Sequence, residues 1–191
     1  MRSEQQFPAI ETTRLKLRRP LQKDAGELLK VTQDETVMKY YGMPAFRSKA
    51  AALDEIGWFQ KIFATVEGIR WVITKKGAGQ YIGDIGLHNY ASPHSRAEIG
   101  FKLAKAHWRQ GIMMEALGPV LDYGFTVMRL NRIEAVVDPE NDACLGLLRK
   151  AGFTAEGVLR EYEHEATGYV DLVMMSLLQR EYPSGKVASK V

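Results

Sequence analysis

The run His107-Trp108-Arg109-Gln110-Gly111-Ile112-Met113-Met114-Glu115-Ala116 is where residue types and their order first suggest chemistry. A strand-like pattern ends before it, a short polar turn with one glycine follows, and an amphipathic helical pattern begins. The unpaired N–H groups of a first helical turn point outward with the positive end of the helix dipole, so such a turn seats an anion. Gly111 lets a ligand approach the backbone without a Cβ in the way, and Arg109 can add a charge-assisted contact. Phosphate is the natural guest; the plainer alternative is that Gly111 only opens a helix. Other phosphate motifs fit less well. Gly185-Lys186 lacks the upstream glycine and the Ser/Thr of a Walker loop, and Gly77-Ala78-Gly79 falls in a hairpin turn, not between a strand and a helix. His88, His94, His107 and His164 are scattered without the short helical spacing of a zinc motif, so no metal site is expected. His88 and His94 bracket a loop over 89–93 and could touch substrate there; the plainer reading is a pair of exposed loop histidines.

The elements that would position this turn follow from hydrophobic periodicity. Leu15 and Leu17 alternate with Arg14, Lys16 and Arg18, a half-buried strand over 13–19 ended by Pro20. Helical spacing follows over 21–33 and again over 50–66, with an irregular aromatic segment (Tyr40, Tyr41, Phe46) between them that suits either a substrate site or packing. Residues 70–74 and 80–87 read as a hairpin around 75–79, and 97–103 as a third strand with Ala97, Ile99, Phe101 and Leu103 on one face and Glu98, Gly100 and Lys102 on the other. A helix over 112–128 should kink at Pro119, which lacks an N–H. A strand over 132–137, a short helix over 142–151 stopped by Gly152, and strands over 153–162 and 169–178 complete the order. The result is an α+β arrangement around one twisted sheet.

Bulk properties set the limits. A chain of 191 residues, 46% hydrophobic and 26% charged, suits one domain and is short for two. The reading is a single domain over 1–182 with a disordered tail over 183–191. A net charge of +3 without Lys/Arg blocks gives no ground to expect direct nucleic-acid binding. No run approaches the ~18 apolar residues of a membrane span. The single cysteine, Cys144, and the absence of an apolar leader in residues 1–8 lead us to expect a cytoplasmic protein.

Four segments taken together, AEIGFKL (97–103), HWRQGIMMEAL (107–117), NRIEAVVDPEN (131–141) and CLGLLRKAGFTAEGVLRE (144–161), resemble the GNAT acetyltransferases, in particular the RimJ/RimL branch that acetylates ribosomal-protein N-termini. The resemblance runs from about Thr12 to Tyr182. The family's Q/R-x-x-G-x-G/A signature corresponds to Trp108, Gly111 and Met113, with Met113 in place of the small residue. Its N-x-x-S and K-x-GF blocks correspond to Asn141, Cys144, Lys150, Gly152 and Phe153, with Cys144 in place of serine. The resemblance implies a mixed, mostly antiparallel sheet flanked by helices, with acetyl-CoA in a splay between strands 97–103 and 132–137. The pantetheine arm would pair with the backbone of Phe101, Lys102 and Leu103. The pyrophosphate would sit on Arg109, Gln110, Gly111, Ile112, Met113 and Met114 beside Trp108. Asn141 would bond the cofactor arm, and Lys150 would either reach a phosphate or stand solvated. Family members are often monomers or homodimers.

Amide formation needs a neutral amine, a donor for the developing oxyanion and a proton for the leaving thiolate. On the strand expected beside the thioester, Glu98 is the candidate base, acting through a water; the plainer reading is an ion-paired carboxylate. A backbone N–H near Phe101 would meet the oxyanion. Cys144 could protonate the thiolate or become acetylated itself, yet its spacing with Leu147, Leu148 and Ala151 also suits packing. Tyr162 and Tyr169 are alternative acids. The expected acceptor is a protein N-terminus; the alternatives are an aminoglycoside or polyamine, or a non-catalytic CoA-binding module.

Overall fold

The computed structural model describes residues 6–165 and 168–183. The first five residues, and the part of the expected tail from 184 onward, lie outside them. Among the described residues, eight strands form one sheet: β1 (Ile10–Glu11), β2 (Leu15–Arg18), β3 (Ile69–Lys75), β4 (Gly83–Ala91), β5 (Arg96–Leu103), β6 (Arg132–Val137), β7 (Thr154–Glu165) and β8 (Gly168–Leu178). Their order is β1-β2-β3-β4-β5-β6-β8-β7. Neighbours are antiparallel except β5 and β6, which run parallel.

Helices α1 (Ala25–Thr32), α2 (Glu35–Met38) and α3 (Lys49–Ala64) separate β2 from β3, α4 (Ile112–Thr126) joins β5 to β6, and α5 (Asp142–Lys150) joins β6 to β7. Sequence patterning finds every long element. It misses two-residue β1 and one-turn α2, which are too short to show a period. It also starts β4 three residues early. Gly77 and Gly79 take left-handed φ values of 80° and 67°, and the chain returns through Tyr81 and Ile82 before pairing resumes with Gly83 opposite Ile73. At its other end β4 runs on to Ala91, so part of the segment read as a loop is strand. Pro119 sits inside α4 without ending it; the missing N–H costs one ladder bond, while Ala116, Leu117, Val120 and Leu121 around it are buried.

The pleat sends alternate side chains to opposite faces. On one face Leu15, Trp71, Ile85, Leu87, Ile99, Ile133 and Met175 pack with α4 and α5; on the other Val72 packs with α1, α2 and α3 through Leu28, Ile56 and Phe59. Ser48 caps α3 by accepting from Ala51 N at 3.2 Å, and the buried set Ala52, Ile56, Phe59, Ile62 follows helical spacing. Among the described residues no helix is long and apolar enough to cross a membrane.

Candidate active site

Strand β5 is fully paired to β4, from Gly83 opposite Leu103 to His88 opposite Glu98. Its pairing with β6 covers only Arg96, Ala97 and Glu98, opposite Arg132, Ile133 and Glu134. Beyond Glu98 the two strands part, and this is the splay. Ala104 N–H donates to Ile82 O at 2.9 Å, which sets the phase of the ladder. Even-numbered residues of β5 turn their backbone groups to β4, and Phe101 and Leu103 turn theirs to the opening. Trp108 Nε1 donates to Leu103 O at 2.7 Å, so Phe101 keeps both groups, and Leu103 its N–H, along the open edge.

The turn after β5 is held from two sides. Gln110 Nε2 donates to Ala106 O at 2.8 Å, and Arg14 Nη1 donates to Gln110 O at 3.0 Å. Arg14 also pairs with Glu115 on α4, Nε to Oε2 at 2.6 Å. Arg109 and Gly111 both take left-handed φ, 58° and 72°. The first bond of the helical ladder is Glu115 N–H to Gly111 O at 3.0 Å, so the N–H groups of Ile112, Met113 and Met114 lie ahead of it, as an anion seat requires. The side chains of Ile112 and Met113 are buried in the core and those of Trp108, Arg109 and Gln110 are exposed. The periodicity of α4 revealed the helix start; nothing in it revealed the brace from Arg14, about a hundred residues away.

Glu98 lies on the polar face of β5. His88 Nε2 stands 3.4 Å from Oε1, and Asn89 Nδ2 donates to Oε2 at 3.1 Å. Burial opposes ionisation of Glu98, but the hydrogen bond and charge of His88, then Asn89 and Arg70, outweigh it and hold its carboxyl below the usual carboxylate range. His88, read from sequence as a loop histidine, is in fact a strand residue whose side chain is 16% exposed. His94 is exposed.

The same face carries a buried charge cluster that sequence reading missed. Arg70 Nε donates to Asp84 Oδ1 at 2.7 Å, Lys102 Nζ lies 3.0 Å from Asp84 Oδ2 and 3.1 Å from Glu55 Oε1, and Tyr81 donates to Asp84. Tyr41 Oη accepts from Arg70 Nη2 at 2.8 Å and from Lys102 Nζ at 3.1 Å. Lys102, placed by the strand pattern on the polar face, is therefore buried and paired beneath α3, and its backbone groups turn to β4 opposite Asp84, away from the opening. The same pairs tie the aromatic segment around Tyr41 to the sheet, so at least that tyrosine packs.

On β6's far side, Asn141 Oδ1 accepts from Cys144 N at 3.1 Å and caps α5. Cys144 is half-buried against the core, and burial pushes its thiol up to about 12, which disfavours a thiolate nucleophile and a ready acid alike. Replacing it with serine is expected to leave kcat within a few-fold of the parent, checked by thiol release; a dead, well-folded Cys144→Ser chain would revive the covalent route. Lys150 is exposed at the other end of α5, about 13 Å along the axis from the Asn141 cap. Tyr162 and Tyr169 are 51% and 68% exposed on β7 and β8. Among the described residues no group of three or more His, Cys, Asp or Glu could hold a metal ion.

Residues 14–154 match the family described as Acetyltransferase (GNAT) domain. An uncharacterized N-acetyltransferase of Bacillus subtilis, YoaA, is 40% identical over 159 residues, which is 83% of this chain and 90% of that protein. The spermidine N-acetyltransferase of Vibrio cholerae, solved with CoA and spermine, is 26% identical with a TM-score of 0.76, covering 88% of this chain and 97% of that one. RimJ of Mycobacterium smegmatis, solved with a CoA-disulfide, shares the fold at 22% identity and a TM-score of 0.81, covering 93% of this chain and 87% of that one.

Proposed function

This chain belongs to the GNAT family and is an N-acetyltransferase, and we propose that it carries acetyl from acetyl-CoA to the α-amine of a protein N-terminus, such as that of a ribosomal protein. Carrying the reading is the open edge of β5 at Phe101–Leu103, flanked by Glu98 and by the unladdered N–H groups of α4. The pantetheine amides would complete the missing rungs at Phe101 and Leu103, and the pyrophosphate would lie on the backbone of 109–114 beside Trp108. Asn141, whose Oδ1 caps α5, has its Nδ2 left to bond the cofactor arm. Bound acetyl-CoA supplies the activated acyl carbonyl and a thiol leaving group. Glu98 takes the amine's proton through a water, and Phe101 N–H faces the developing oxyanion.

The state of Glu98 bears on the acceptor. Held below the ordinary carboxylate range, it is a weak base. An α-amine with pKa ~7.7–8.0 is about a quarter neutral near pH 7.4, whereas a lysine amine at ~10.4 is neutral about once in a thousand. A weak base is enough for the first. The RimJ likeness in fold points the same way. The second reading, a polyamine, is favoured by Glu163, whose carboxyl is pushed up by burial and then by the charges of Glu98 and Glu165, a local excess of negative charge that would suit a polycation. The relative solved with spermine supports that reading.

Melting with and without acetyl-CoA, followed by thiol release against N-terminal peptides, aminoglycosides and polyamines, separates them. A ligand at 100 times its Kd raises stability by about 2.7 kcal/mol. Peptide-dependent release supports the α-amine; release only with polyamines replaces it; a melting shift without release on any acceptor leaves a CoA-binding module. Gly111→Val is expected to abolish the shift, because a β-branched residue at φ 72° costs about 1–3 kcal/mol of strain at the helix start that offers the anion seat.

A further inference from the structure

The pairing of β4 with β5 is regular until His88 opposite Glu98, then shifts so that Ala91 meets Arg96. In the shifted stretch Asn89 takes a left-handed φ of 52°. Consecutive residues of a regular strand point to opposite faces; a bulge re-aims one of them. Here it brings two neighbours, His88 and Asn89, onto the same carboxylate, one to each oxygen of Glu98 at 3.4 Å and 3.1 Å.

The His88 ring is itself fixed. Trp58 of α3 meets it edge-on, with centroids 5.9 Å apart. A Cβ on Gly100 would lie 3.0 Å from His88 Cε1 and 3.1 Å from Arg70 Nη1, so the bare glycine makes the room in which the imidazole and the guanidinium sit together. His88 Nδ1 is buried with no hydrogen-bond partner among the described residues. The other ring nitrogen, Nε2, faces Glu98, and a hydrogen on it points at the carboxylate in the Nε2–H tautomer and in the imidazolium alike.

We propose that His88 is a positioning residue for Glu98, its Nε2–H and the Asn89 amide together fixing both carboxylate oxygens through the bulge between β4 and β5. The proposal rests on the acetyl-transfer reading for its consequence in catalysis, but the grip itself can be tested without turnover. The charged and titratable groups around Glu98 are His88 on β4, Arg70 on β3, and Glu163 on β7, which feels the charge of Glu98.

Two substitutions divide the roles of the ring. His88→Phe keeps an aromatic ring against Trp58 and removes the donor; His88→Gln keeps an N–H donor. Glu98 is followed by carbon-detected titration of its side-chain carboxyl in the acetyl-CoA-free chain. Removing the donor should raise its pKa, so H88F is expected to move Glu98 upward while H88Q leaves it near the parent. In thiol release, H88F is expected to lower kcat at least about tenfold, with KM for acetyl-CoA and the acetyl-CoA melting shift unchanged, and H88Q to recover most of the loss. A Glu98 titration that is the same in H88F as in the parent, or a kcat that falls equally in both variants, overturns the proposal. A parent chain that binds acetyl-CoA yet acetylates no amine, while its Glu98 titration still depends on His88, overturns the acetyl-transfer reading and leaves the hold on Glu98 standing.

Discussion

Asp84→Ala is expected to lower stability by about 3–5 kcal/mol, the usual cost of removing one partner from a buried ion cluster. Asp84 is fully buried, and Arg70, Lys102 and Tyr81 all converge on it. Without it two cations remain in the interior, with Glu55 still 3.1 Å from Lys102 Nζ. Urea unfolding followed by circular dichroism reads the loss directly. An Asp84→Ala chain within 1 kcal/mol of the parent, roughly the spread of a surface change, would show that water or repacking satisfies the cations. The pH dependence has a definite sign. Burial opposes ionisation of Asp84, but Lys102, then Arg70 and Tyr81, hold its carboxyl below its ordinary value. A depressed folded pKa contributes stability above the unfolded value of about 3.9 and loses it as pH falls through the folded one. The parent should therefore lose this contribution only in acid, and Asp84→Ala should show a flatter acid limb.

Glu98→Gln is the second change with a large expected effect, a fall in kcat of about 10²–10⁴ with acetyl-CoA binding retained. Glutamine fills the same space between His88 and Asn89 and cannot take a proton at neutral pH. The melting shift with acetyl-CoA and the rate of thiol release, measured on the same sample, separate binding from chemistry. Loss of both together would mean that Glu98 holds the strand in place and carries no proton.

The long elements were legible because each keeps one period over many residues. Ile133, Ala135 and Val137 alternate, and Ile56, Phe59 and Ile62 recur every three or four. The helix start at Gly111 was legible for the same reason: a polar turn between two periodic runs has few other uses. What escaped was whatever depends on register between distant strands. Asp84 sits in an apolar run and Lys102 in an alternating one, and nothing local says that they are opposite each other. His88 looked like a loop residue because the bulge that aims it leaves no mark in composition. The contacts of Arg14 with Gln110 and Glu115 likewise join segments that only the closed sheet brings together.

The three-residue seam between β5 and β6 is short beside the antiparallel ladders on either side of it, which run five residues or longer, and α4 adds Leu117, Val120 and Leu121 to the core shared by both strands. Among the described residues the amides of Phe101 and Leu103 have no strand across from them, and they are expected to exchange with solvent without waiting for the sheet to unfold. Whatever pairs with Phe101 and Leu103 in the opening adds to the sheet as a further strand would, and its arrival is expected to slow the exchange of those two amides.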